Sequence, residues 1–346
     1  FIFIRLWNFR IYDFMNITNE YPMVYRDEIL ANGDHIYGVP SRHIHPVEHW
    51  WHWYIFLKKN HDRFNAIVLN TCDQSVSWPI LLGKLFGIKR RVVHSHNAGN
   101  EVKSSLFRRV LYGLNRMIWN VAATDYFACS DDAGRWMFPG EKYTLIKNAI
   151  DVKRFRFNSN IRENIRDKLG VQNDFVIGHI GRFTYQKNHI FMLEMLKELI
   201  KIRPEIRLLL VGNYECNRGI SEAFFRKLRE YNLEKYVILT GPQINVKDYY
   251  SAMDCFILPS LFEGLPIVGI EAQANGVPCI FSDTITKELS IGANVRFLPL
   301  NDAKLWAEEL NHITERGRMD NTDAIANAGY SIVDEVKKVE MMFCKG

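Results

Sequence analysis

Two glutamates, Glu263 and Glu271, stand seven residues apart, just after the apolar run Phe256-Ile-Leu-Pro-Ser. The run reads as a strand ending at Leu258-Pro259. Pro266 suits the first position of a following helix, where its missing N–H costs nothing. The N–H groups of Leu265, Ile267 and Val268 would then point out of a helix start, and with the helix dipole they form an anion site. Carboxylates beside such a site can hold sugar or ribose hydroxyls through charge-assisted hydrogen bonds. The plainer reading makes Glu263 a capping carboxylate and Glu271 a solvated helix residue.

A second group lies in Gly178-His-Ile-Gly-Arg182-Phe-Thr-Tyr-Gln-Lys187-Asn188. A strand ends in Gly-Arg, and Lys187 comes immediately before Asn188, a candidate helix cap. Two cations flanking a helix start suit a diphosphate, arginine as a planar fork and lysine as a point charge. Read plainly, they are two surface cations near a loop. In the diphosphate reading too, replacing Lys187 by alanine is expected to leave folding nearly intact, within about 0.5 kcal/mol. A third group, Val92-Val-His94-Ser-His96-Asn97, is a strand running into a polar loop. Two histidines at that spacing could bind metal, but no third ligand is evident nearby. His43, His45, His49 and His52, set among Trp50, Trp51 and Trp53, read as an amphipathic helix packing its tryptophans rather than as a metal site.

Short β-branched runs alternating with helical patterns supply the elements that must position these residues, a parallel α/β signature. Strands are expected at 66–70, 91–95, 126–129 and 143–146, with helices at 75–86 and 103–121. A polar segment near 147–158 reads as a linker. A second series follows, with strands at 175–181, 207–212, 236–240, 254–258 and 277–281, and helices at 188–202, 221–231, 246–253 and 266–275. Ligands of such domains bind beyond the carboxyl ends of the strands, which is where all three groups fall.

At 346 residues, 47% hydrophobic and 24% charged, the chain has the length of two soluble domains. No apolar run approaches the ~20 residues of a membrane span, and Phe1-Ile-Phe-Ile-Arg5 is not a signal peptide. Six dispersed cysteines without a Cys-x-x-Cys pair read as buried, reduced thiols of a cytoplasmic protein. The net charge of +5 lies wholly in residues 1–150, which hold 18 Lys/Arg against 13 Asp/Glu. Eight basic residues between Lys84 and Arg116 face only Glu101. They form either a solvated face or an attraction to anionic lipid or a polyanionic substrate. Nucleic acid is disfavoured, because no binding module accompanies the charge.

Taken together, these residues resemble glycosyltransferase family 4, retaining enzymes of the GT-B fold. The resemblance rests on Glu263-x7-Glu271 with Ala272-Gln-Ala-Asn-Gly-Val-Pro278, and on Gly181-Arg182-x4-Lys187. Asn148-Ala-Ile-Asp151 with Phe155, Leu210-Val-Gly-Asn213 and Leu239-Thr-Gly241 extend it. It spans roughly residues 20–330. Tyr25–Pro40 and Val93–Asn97 look most like bacterial capsule or exopolysaccharide transferases.

The resemblance implies an α/β GT-B molecule of two Rossmann-like doubly wound domains facing a cleft. Residues 1–155 would form the acceptor-side domain, with 330–346 packing back on it, and 156–329 the nucleotide-sugar domain. It further implies that Arg182 and Lys187 neutralise the donor diphosphate and that Glu271 holds the ribose. Glu263 with the Gly264, Leu265, Pro266 and Ile267 backbone would hold the transferred sugar, Pro242, Gln243 and Ile244 would contact the base, and His96 would contact the donor sugar near the reacting centre. Stabilising a departing diphosphate is an electrostatic task, so no metal or other cofactor is expected. The implied enzyme moves a hexosyl or N-acetylhexosaminyl group from a nucleotide sugar, UDP preferred, to a lipid-linked bacterial surface glycan. It would work in the cytoplasm at the inner membrane face, against an anionic membrane surface. The rivals are an inactive transferase-like partner subunit and a GT-B sugar-nucleotide epimerase, which lacks Glu-x7-Glu. The family opens with a strand and a glycine-rich loop that have no counterpart before Phe3-Ile4, so the given chain is expected to lack them.

Overall fold

The computed structural model describes residues 13–16, 26–42, 44–97, 99, 105–313 and 317–344. The expectations placed on Phe1–Ile4, His43, Glu101 and Lys103 lie outside them. The chain divides into two units, Phe1–Lys147 with Val336–Gly346, and Asn148–Glu335. The first division falls at Lys147/Asn148 rather than at 155/156. Ile150 and Val152, from the expected linker, are buried in the core of the second unit with Phe155 against them. Apolar burial, not polarity, decides where that segment belongs.

In the first unit, β1 (Asp13–Asn16) pairs in parallel with β2 (His35–Gly38). A separate parallel sheet runs β3 (Ala66–Thr71), β4 (Arg90–Ser95), β5 (Asp125–Ala128) and β6 (Thr144–Leu145) in sequence order. Helices Pro46–Asn60, Trp78–Leu85 and Leu106–Ala122 lie side by side, the second packed against both others. The tryptophan cluster does lie on a helix, but only Trp53 is buried; Trp50 and Trp51 are exposed. Helix Ile332–Cys344 sends Val339 into a core of Val92, Phe127 and Ile146.

The second unit has one six-stranded parallel sheet. Its strands are β7 (Phe175–Ile180), β8 (Ile206–Val211), β9 (Val237–Gly241), β10 (Cys255–Leu258), β11 (Cys279–Ser282) and β12 (Val295–Leu298). Their spatial order is β12-β11-β10-β7-β8-β9, the doubly wound arrangement, with the direction of winding reversing between β7 and β10. Every residue of β7, β10 and β11 is buried, as a sheet covered on both faces requires. Asp254 anchors the N-terminal end of β10. Its carboxylate accepts from Arg162 and Arg166 of helix Ser159–Leu169 and from the Val176 backbone N–H.

Not all cysteines are inside. Cys129, Cys255 and Cys279 are buried, whereas Cys72 and Cys216 are exposed in loops beyond strand ends.

Candidate active site

The reversal between β7 and β10 leaves a crevice beyond their carboxyl ends, the default ligand position of such a sheet. Three glycines make its floor. Gly181 follows β7, Gly212 follows β8 and Gly241 ends β9. The Gly212 N–H donates to Gly241 O at 3.0 Å, and the Gly181 N–H donates to Val211 O at 2.9 Å. Gly212 has φ +147°, and a Cβ there would lie 2.1 Å from Gly181 O. Only glycine fits, and the floor is backbone that a ligand can approach closely.

After Gly181 the chain makes a short turn, Tyr185–Lys187, and enters helix His189–Leu199. Asn188 holds the cap position expected for it, but its left-handed backbone (φ 53°) leaves its side chain capping nothing. The turn aims Lys187 at the loop after β10, where Pro259 has ended the strand. Lys187 Nζ donates to Glu263 Oε1 at 2.6 Å, and Gln186 Nε2 donates to Glu263 Oε2 at 2.9 Å. Ser260 Oγ donates to Oε1 at 2.9 Å. The Lys187 and Glu263 side chains are only 15% and 10% exposed. Glu263 is therefore neither a helix cap nor a surface carboxylate, and Lys187 is not a surface cation. The Leu261 N–H donates to Gln186 O at 2.8 Å, which ties the two loops together.

Helix Ile267–Asn275 begins one residue later than expected, with buried Pro266 as its cap residue rather than its first turn. Gly269 N–H donates to Pro266 O. The Ile267 and Val268 N–H groups have no acceptor among the described residues, which leaves the positive end of the helix open. Gly264 is exposed and Leu265 partly buried. Glu271, one turn inside, is partly buried rather than fully solvated. Its Oε2 accepts from Tyr250 Oη at 2.7 Å. Burial pushes its carboxyl pKa up, and the Tyr250 hydrogen bond offsets part of that rise.

Arg182 is exposed beyond β7. Gln243 Nε2 donates back to Thr240 O at 2.8 Å, and Ile244 beside it is fully exposed. His96, in the first unit beyond β4, shares a 2.9 Å hydrogen bond between its Nε2 and Asn70 Oδ1 and lies 4.0 Å, ring to ring, from His94. The structure thus brings Lys187 and Glu263 into one network and places Glu271 on the helix behind them.

Sequence reasoning missed Ser260, Gln186, Tyr250 and His179. The signal for His179 was its position two residues before Gly181, on an otherwise apolar strand. It is fully buried, with Nδ1 3.0 Å from Ile257 O. Burial, assisted by the Lys187 charge, lowers its pKa to about 3.

Residues 174–316 match the family model described as glycosyl transferases group 1. EpsF of Bacillus subtilis (strain 168), assigned to the glycosyltransferases, is 31% identical over 337 residues, covering 94% of this chain and 86% of EpsF. The chain belongs to the group 1 glycosyltransferases. This glycosyltransferase is also 28% identical, over 58% of its length and 54% of the relative's, to the UDP-Gal:alpha-D-GlcNAc-diphosphoundecaprenol alpha-1,3-galactosyltransferase of Escherichia coli. Among solved structures, Anabaena Alr3699/HepE in complex with UDP-glucose superposes with a TM-score of 0.76 at 16% identity, covering 97% of this chain and 99% of that one. Sucrose-phosphate synthase from Thermosynechococcus elongatus gives 0.63 at 19% identity, over 86% and 78%. Those likenesses establish the GT-B fold of the glycosyltransferase.

Proposed function

We propose that the enzyme transfers a hexosyl or N-acetylhexosaminyl group, with retention, from a UDP-sugar to a growing lipid-linked bacterial surface polysaccharide. The observation that carries this reading is the Lys187–Glu263 pair at the switch point of the sheet, beside an open helix N-terminus. A diphosphate entering the crevice meets the exposed Arg182 fork, the Lys187 ammonium and the free N–H groups of Ile267 and Val268. As it takes Lys187, the Glu263 oxygens are released to accept from hydroxyls of the sugar. Two groups that neutralise each other at rest thus become the two halves of a donor site. As the bond between sugar and diphosphate breaks, charge grows on the leaving oxygen, where fixed cations and N–H dipoles act without reorganising. Glu271, held by Tyr250, accepts from the ribose. The glycine floor admits the nucleotide and Gln243 its base, and the family resemblance gives His96 a contact with the donor sugar. Retention and the role of His96 come from the family resemblance.

The UDP preference is supported by the UDP-glucose complex of HepE, and the acceptor class by the diphosphoundecaprenol substrate in the name of the E. coli relative. Among the described residues no helix is long and apolar enough to cross a membrane. The acceptor reading sets the work of the enzyme at the inner face of the cell membrane. Calorimetric titration with UDP-, GDP- and ADP-hexoses tests the donor. Tightest binding of a UDP-hexose is expected, with Glu271→Gln weakening UDP and UDP-hexose alike and Glu263→Gln weakening only the sugar-bearing ligand. Equal losses for both ligands in both variants would refute the division of roles.

A further inference from the structure

The basic stretch Lys84–Arg116 divides once its side chains are placed. Arg90 is committed to Asp125, with Nη2 2.9 Å from Oδ1, and to Met342 O. Arg91 donates to Ala122 O and Ile88 O. These two hold the first unit together and are not free for a surface partner. Among the described residues Lys84, Lys89, Arg108, Arg109 and Arg116 remain, and the last three lie on helix Leu106–Ala122, which contains no acidic residue.

That helix is mounted with its most apolar side outward. Tyr112, Asn115, Trp119 and Ala122 are its buried residues, and much of their contact is polar. Asn115 accepts from Ser77 Oγ at 2.6 Å and donates to Gln74 O, while Trp119 Nε1 donates to Val76 O. Leu106, Phe107, Val110, Leu114, Met117 and Val121 fall within about 100° of one another around the axis, and each is between 54% and 77% exposed. A contiguous apolar face of this kind is rare on a soluble monomer.

The face continues across the neighbouring helices. Lys84 Nζ donates to Val121 O at 2.8 Å, which sets exposed Leu81 and Leu85 of helix Trp78–Leu85 beside it. Next comes helix Pro46–Asn60, where exposed Trp50 and Trp51 stack on Tyr54 with ring centroids 5.7 and 5.4 Å away, and Lys58 Nζ lies over Tyr54. Apolar side chains in the middle, Trp and Tyr at one margin and Arg or Lys at the borders are the composition of a surface seated in a membrane interface.

We propose that the face built by helices Pro46–Asn60, Trp78–Leu85 and Leu106–Ala122 docks on an anionic lipid bilayer, with Leu106–Ala122 lying in the interface. The three-and-four spacing of its apolar residues would also suit a seam with a second copy. Pairing two such helices would set Arg109 and Arg116 against another helix without acids, whereas lipid phosphates satisfy the charge and the acyl boundary takes the apolar face. The inference deepens the lipid-linked acceptor reading by naming the elements that reach the membrane.

Flotation of the full chain with phosphatidylcholine vesicles, with and without one quarter phosphatidylglycerol, tests it. Both variants replace outward-facing side chains, so thermal unfolding should match the wild type. Leu114→Ser/Met117→Ser should weaken binding to the anionic vesicles at least tenfold at low and high salt. Arg109→Gln/Arg116→Gln should weaken it roughly 30-fold at low salt and much less at high salt. Absence of wild-type binding at low salt, or equal binding by all three proteins, overturns the proposal. So does a wild-type dimer in sedimentation that Leu114→Ser/Met117→Ser dissociates. UDP affinity, measured on the same samples, should be equal in all three. A wild-type chain that binds vesicles but not UDP would refute the donor reading alone.

Discussion

Lys187 shows how a side chain's neighbours change what its removal means. As a surface cation it could be deleted at almost no cost to folding, but its ammonium is the charged partner of a carboxylate that is 10% exposed. Lys187→Ala should lower donor turnover by about 10²-fold or more. It should also cost about 3 kcal/mol of stability, because Glu263 is left buried with only the Ser260 and Gln186 hydrogen bonds. Adding Glu263→Gln should restore most of the stability in urea unfolding and none of the turnover. Recovery of both, or no stability loss in the single variant, would contradict this picture. Glu271 behaves differently. Burial raises its native pKa above the unfolded value of 4.5, so the folded chain binds that proton more tightly. Stability from this group is complete below about pH 4.5 and falls as pH rises through the native pKa. Glu271→Gln, which still accepts from Tyr250, should therefore stabilise the protein near pH 7 and lose that advantage near pH 4. Calorimetric melting at both pH values checks the sign.

Elements were the most legible level in the second unit. β10 is wholly apolar, β7 and β8 are apolar but for Gly178-His179 and Arg207, and each has glycine or proline just beyond, so pattern alone located them to within a residue or so. The same signal failed for β12, whose Val295-Arg-Phe-Leu run is short and only partly buried. It also failed for helix Ser159–Leu169, which is polar on most sides and held by Arg162 and Arg166 reaching Asp254. Pairings of that kind span about ninety positions in sequence, and no local pattern announces them. The glutamates and the Arg-Lys pair were legible as types and spacings. That Lys187 and Glu263 touch was not, because two separate strand ends create the contact. The glycine floor carries its own prediction. Gly212→Ala forces a Cβ into the Gly181 carbonyl at a backbone angle that alanine rarely adopts. It should cost at least about 2 kcal/mol and weaken UDP binding, as read by urea unfolding and calorimetry. Unchanged stability would mean that the β7 and β8 ends are not held this close.

In the whole molecule the chain passes from the first unit to the second at 147/148 and returns at 335/336. The return is structural. Val339 is buried against Val92, Phe127 and Ile146, Arg90 lies 4.4 Å over the Phe343 ring, and Lys338 donates to Leu145 O. Val339→Asp should destabilise the first unit by about 3 kcal/mol or more, through an unpaired buried charge. UDP affinity, which the proposed function assigns to the second unit, should remain. Hydrogen exchange accelerated in β4 and β5 but not in β7 and β8 would confirm the separation, and uniform acceleration would deny it. The arrangement also sets an order of events during synthesis. The unit begun first emerges from the ribosome with the apolar patch around Val92 and Ile146 uncovered, and the second unit is translated in full before residues 336–344 arrive to close it. The first unit must therefore wait, exposed, while the whole of the second unit is translated. A ribosome stalled just before Val336 would release a second unit that is finished and a first unit that is not.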